Sequence, residues 1–229
     1  MICVRCAFVG LLLTSSIVVA GSWPPTSQEL SDSALIAASG TTSIEMARDS
    51  VVRATQILAT RASHRPNDLA SASIVFSEPV YSEGLDKLSS EYKLEVARVD
   101  IKVPDHVSKT VYTFSIGAAD IVRREGPLVN RLNREIGRIR AKFASRAEKA
   151  IDPEEKARLD AIALGPMPFY RAEVIGSLAD LLGSSSAKHV RVVLVDEGSS
   201  RIEEYQYTSA RSPRQPLPSG IGLRQPGSR

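Results

Sequence analysis

Cysteine is nearly absent: the 229 residues hold only Cys3 and Cys6, both within the first six positions. That excludes a disulfide scaffold, and it excludes a thiolate metal centre or catalytic cysteine in the body of the chain. Neither charge dominates, with 29 Lys and Arg against 26 Asp and Glu for a formal +3. Nucleic acid is therefore not the expected partner, because its binders carry a clear basic excess. No Asn-x-Ser/Thr acceptor occurs, since Asn67, Asn130 and Asn133 all fail the pattern. Aromatic residues make up 5%, but 43% of the chain is hydrophobic, enough for a packed core.

Signatures of chemistry are equally scarce. His64, His106 and His189 stand far apart, and none belongs to an HExxH pair, so no metal or cofactor is expected. No nucleophile elbow, phosphate loop or EF-hand loop is present. Gly220 and Gly222 follow no strand and cannot form a dinucleotide fingerprint. Ser185-Ser186-Ala187-Lys188 fits S-x-x-K. A Ser–Lys pair needs a desolvated lysine to take the serine proton, and a polar loop keeps Lys188 solvated. The acid pairs Glu83/Asp86, Asp196/Glu197 and Glu203/Glu204 lie where solvent normally reaches, so nothing raises a pKa. These residues point away from an enzyme, with a hydrolase using Ser185 and Lys188 as the rival reading.

The only long apolar run lies at the N-terminus. Arg5 precedes residues 7–20, and Val18 and Ala20 fit the small-residue pattern before a signal-peptidase cut. Residues 1–20 thus read as a signal peptide or signal anchor, with membrane contact possible there and an extracytoplasmic location. Residues 21–40, rich in Ser, Thr, Ala and Pro, read as a flexible linker. Thr42 and Glu45 have capping-box spacing ahead of an amphipathic helix over residues 41–63, with Ile44, Ala47, Val51, Ala54 and Leu58 on one face.

Residues 72–204 read as the α+β core. Residues 73–77 form a β-type run, and Ser82 caps a helix bearing Leu85, Leu88 and Tyr92. Residues 94–103 alternate with one slip at Ala97-Arg98, Pro104-Asp105-His106 turns, and residues 111–116 return. The grammar recurs later: a strand over 169–175, a helix capped by Ser177 and stopped by Gly183, and a strand over 189–195. Two β-α-β units predict a ferredoxin-like sandwich, the split β-α-β.

Between the units, residues 120–165 predict an inserted helical hairpin. Leu128, Leu132, Ile136, Ile139 and Phe143 form the stripe of its long arm, about 23 residues or about 34 Å at the usual rise. Asp152-Pro153-Glu154-Glu155 starts the second arm, and Gly165-Pro166 ends it. Residues 123–149 carry nine Lys or Arg against Glu125, Glu135 and Glu148. At about 100° per residue from Arg131, the apolar stripe spans roughly 60° to 160°. Arg131, Arg134, Arg138 and Lys142 cluster instead between about 300° and 20°. That basic face suits an anionic envelope surface or an acidic protein. It also suits plain solvation, and Glu135 relieves part of its charge. Residues 208–229 hold no acid and four Pro, and read as a disordered basic tail.

The strand, Leu-x-x-Leu helix and Val-rich strand over residues 73–103 and 169–196 loosely resemble protease propeptides and related inhibitors. The resemblance implies a protein-binding sheet and a tail reaching toward a protease site, while the helical insertion departs from that pattern. The expected function is a non-catalytic exported or membrane-anchored binding module, with an inhibitor module or a hydrolase as alternatives.

Overall fold

The computed structural model describes residues 23–105, 109–121 and 126–196. The signal at 1–20, the tail at 208–229, His106 and the Glu203/Glu204 pair lie outside them. The fold is α+β, with one antiparallel five-stranded sheet. In chain order come α1 (Ser27–Ser39), α2 (Ile44–His64), β1 (Leu69–Val80), α3 (Ser82–Glu91), β2 (Glu95–Asp105) and β3 (Thr110–Ile116). Then follow α4 (Ala118–Ile121), α5 (Leu128–Lys149), α6 (Pro153–Leu164), β4 (Phe169–Ser177), α7 (Leu178–Ser184) and β5 (Val190–Val195). The strand order is β3-β2-β4-β1-β5.

Strand alternation sends two kinds of residue to the two faces. On the first face, Ala72, Ile74, Val99, Ile101, Phe114 and Val174 meet Leu85 of α3, Leu132 and Phe143 of α5, and Leu181 of α7. On the second, Val75, Tyr170, Val192 and Leu194 meet Leu30, Ala34 and Leu35 of α1. Bulges keep this sorting: the register steps over Ala97 in β2, Tyr170 in β4 and Arg191 in β5, and β1 also shifts against β4 between Val75 and Val80. The first is the slip visible in the sequence. The second lets Tyr170 and Arg171 share the second face. Pro104 and Asp105, expected to turn, instead continue β2 opposite Val111 and Thr110.

The linker expected over 21–40 is instead largely α1. Its N-terminus carries a complete capping box: the Glu29 amide donates to Thr26 Oγ1 at 3.2 Å, and the Thr26 amide donates to Glu29 Oε2 at 2.7 Å. Gly40 ends the helix at φ +66°, a left-handed position that glycine adopts without strain. The Ser- and Ala-rich composition suggested a spacer, but its apolar residues pack on the sheet and its serines bond to it. Ser31 is fully buried and donates to the Phe76 carbonyl at 2.7 Å. Arg191 donates to Ser31 Oγ at 2.9 Å and pairs with Asp32 at 2.6 Å.

Helix α2 runs along the edge strand β5 and onto α7. Ala47 joins the second-face cluster and Leu58 and Ala62 the first, so the helix covers an edge otherwise open to pairing. Its cap is Ser43, whose hydroxyl accepts from the Met46 amide at 3.3 Å, and not the Thr42 box. Ser82 likewise becomes the first residue of α3, with Tyr81 at the cap. Ser177 and Asp152 cap α7 and α6 as expected, though α7 continues through Gly183 to Ser184. Pro127 sits at the cap of α5.

A docked α1 and a loose linker respond differently to truncation. Leu35 is 0% exposed, so Leu35→Ala is expected to destabilise the protein by about 2–5 kcal/mol through lost burial and a residual cavity. Urea unfolding of the variant checks this, since a linker residue would leave the midpoint in place.

Candidate functional site

Helix α5 sorts its residues into three groups. Leu128, Leu132, Ile136 and Phe143 are buried, with Ile139 partly so, as the stripe predicted. Two of the four expected cations are committed within the fold. Arg131 is half-buried and donates to the Ile121 carbonyl at 2.5 Å, holding α4 against α5. Arg138 forks onto Glu135 at 2.9 and 3.2 Å. Glu135 is itself buried, so this pairing offsets the cost of a desolvated carboxylate. Arg134 and Lys142 are exposed and meet no acid among the described residues, and Arg146 and Lys149 extend the same row. The free part of the face is thus Arg134, Lys142, Arg146 and Lys149.

Beside this row lies a cavity of about 650 Å³ between β3, α5 and α6. Tyr112 and Phe114 stack at 6.1 Å between centroids, and Phe143 meets Phe114 edge-on at 5.4 Å. Lys142, Arg146 and Arg158 stand at the cavity wall. Arg158 pairs with Asp105 at 3.5 Å, and the Asp105 side chain is 0% exposed. Lys142 and Arg146 have no such neighbour among the described residues. The sequence reading did not anticipate the cavity, because Tyr112 and Phe114 reach α5 only through the tertiary fold.

The second face of the sheet holds a charged cluster. Asp100 accepts from Ser115 Oγ at 2.6 Å, from Arg98 at 3.2 Å and from Arg171 at 3.4 Å. Arg171 also donates to Glu173 at 2.6 Å and to Ser73 at 3.2 Å. Lys102 is buried and donates to Ser33 Oγ of α1 at 2.7 Å. Desolvation pushes its pKa down to about 8, against the attraction of Asp100 and with the repulsion of Arg171.

A lysine that sheds its proton near pH 8 beside a serine hydroxyl has the ingredients of a Ser–Lys nucleophile. Ser33, however, sits mid-helix in α1, and neither residue lines a described cavity. The pair acts as a tether between α1 and β2. The Ser185 hydroxyl donates to the Leu182 carbonyl at 2.6 Å, and Lys188 is exposed, so these two are not brought together. Asp86 accepts from the Val129 amide at 3.4 Å, and Asp196 accepts from Ser71 at 3.2 Å. No group of three metal-binding side chains occurs among the described residues. No helix among them is long and apolar enough to cross a membrane.

Comparison with known protein families, characterised proteins and solved structures finds no match. The side chains therefore carry the functional argument alone.

The buried Lys102 leaves a pH signature. Its folded pKa of about 8 lies below its ordinary 10.5, so the burial cost is fully present below pH 8. The cost falls as pH rises from about 8 to about 10.5, where the unfolded chain still binds the proton. Relative to Lys102→Met, the wild type is expected to gain up to about 3 kcal/mol across that window. Paired denaturation curves at each pH measure the difference, in which titrations common to both proteins cancel.

Proposed function

We propose that this chain is an exported binding module that docks an anionic partner on the basic row of α5. The observation that carries the reading is the row Arg134, Lys142, Arg146 and Lys149, exposed and in no ion pair among the described residues. Helix α5 buries its opposite stripe in the core, so the cations are held on a rigid backbone. A fixed row loses less conformational freedom on binding than a flexible basic tail. Guanidinium groups grip carboxylate or phosphate with paired hydrogen bonds, which suits headgroups of an envelope surface or an acidic protein face.

The finer architecture belongs to the same proposal. Setting β3 aside, the order β2-β4-β1-β5 supports a split β-α-β, ferredoxin-like sandwich with β3 added at its edge. Packing of α5 on α6 supports their reading as a helical hairpin inserted between the two β-α-β units. The charge and hydropathy pattern of residues 1–20 supports export.

The test is retention of the full chain on envelope fractions of its source, eluted by a salt gradient. Arg134→Glu with Lys142→Glu is expected to weaken retention about tenfold or more at low salt, and salt is expected to release the wild type. Both positions are exposed, so the variant keeps its unfolding midpoint. Retention indifferent to both the reversal and the salt would end this reading.

A further inference from the structure

The cavity beside the basic row has features that a surface for macromolecular docking does not need. Ala141 and Ser145 of α5 line its wall, and Tyr112, Phe114 and Phe143 line its floor, the two phenylalanines mostly buried. Around the helix, Lys142 and Arg146 stand four residues apart, so they are neighbours on one face. This is where the basic row meets the apolar stripe. A second depression of about 550 Å³ shares Arg146 and Leu159 with the first and continues to Ile151, which is 100% exposed. The two adjoin at Arg146 and Leu159 and are together called the trough.

Charge divides the trough. Arg158 already serves Asp105, which leaves Lys142 and Arg146 as the cations open to a ligand in the first depression. At the far end Asp152 and Glu155 outnumber Lys149, which disfavours an anion there. Small-molecule sites have volumes of roughly 300–1,000 Å³, apolar walls and a few polar groups that fix orientation. The trough has that composition. Two adjoining depressions suit a chain more than a compact ring, and the cations favour one anionic end.

We propose that the trough between β3, α5 and α6 binds a single-chain acyl carboxylate, with its head at Lys142 and Arg146 and its chain over Phe114 and Phe143. The inference rests on the preceding reading in one respect only, that these two cations are free to meet an anion. Apolar area supplies the affinity, and the cations choose the acid over its uncharged counterpart.

Calorimetric titration of the full chain with submicellar dodecanoate tests this, with dodecanol as the uncharged control. Saturable binding at one site per chain is expected. Lys142→Glu with Arg146→Glu is expected to weaken it about tenfold or more, since each reversal replaces an attraction by a repulsion. Ser145→Trp fills the trough from an exposed position while keeping every cation of α5. It is expected to abolish dodecanoate binding, whereas Arg134→Glu, outside the trough, is expected to weaken retention on envelope fractions and leave dodecanoate binding unchanged, which separates this inference from the docking surface. No binding of dodecanoate, equal binding of dodecanol, or full binding in Ser145→Trp would overturn it.

Discussion

Strand β1, an interior strand between β4 and β5, is buried on both faces, and most of the architecture follows from that. From Ala70 to Phe76 every residue is buried, including Ser71 and Ser73. A strand inside a sheet satisfies its backbone groups through its neighbours, but its side chains need cover above and below. The cover on one side comes from helices that follow β1 in the chain. On the other side it comes from α1, which precedes it. Segment 23–64 is thus part of the folded unit. The serines of α1 assist by bonding to the sheet where an apolar helix face would have left polar groups unsatisfied.

The same sheet shows how charge can be held inside a fold. Register puts Arg171 opposite Asp100 and Arg98 opposite Glu173, across β2 and β4. Removing such groups from water is costly, and only a partner in the right geometry offsets the cost. A one-residue slip would turn these side chains into the apolar face and strand them there. The bulges at Ala97 and Tyr170 therefore matter for more than shape, because they set which residues reach the polar cluster. Arg98 remains 40% exposed at its rim, so part of the cluster still meets solvent.

Helix α5 obeys a related rule with a different outcome. Its cations share one sequence pattern but have separate fates. Arg131 and Arg138 hold neighbouring structure through Ile121 and Glu135. Arg134, Lys142, Arg146 and Lys149 stay in water, and the last three approach the groove against β3 and α6. A binding surface of this kind gains specificity from what lies beside the charge. Here the neighbour is an aromatic floor.

Local rules in the sequence determined much of this. The stripe of α5 is a matter of 3.6-residue periodicity, and the caps at Asp152 and Ser177 follow from side chains that bond their own helix amides. Even the bulge at Ala97 was legible, as a break in the alternation of β2. Contacts between distant segments decided the rest. Thr26 and Glu29 formed a readable box, but whether a Ser- and Ala-rich helix is docked depends on the Phe76 carbonyl and Arg191, far along the chain. Asp100 and Lys102 alternate like solvated residues, and become buried only because β4 and α1 lie against them. The groove needs Tyr112 and Phe114 from one hairpin and Phe143 from another element, so no window of sequence contains it. Periodicity and capping act within a few residues of backbone, whereas desolvation and cavity shape belong to surfaces that only folding brings together.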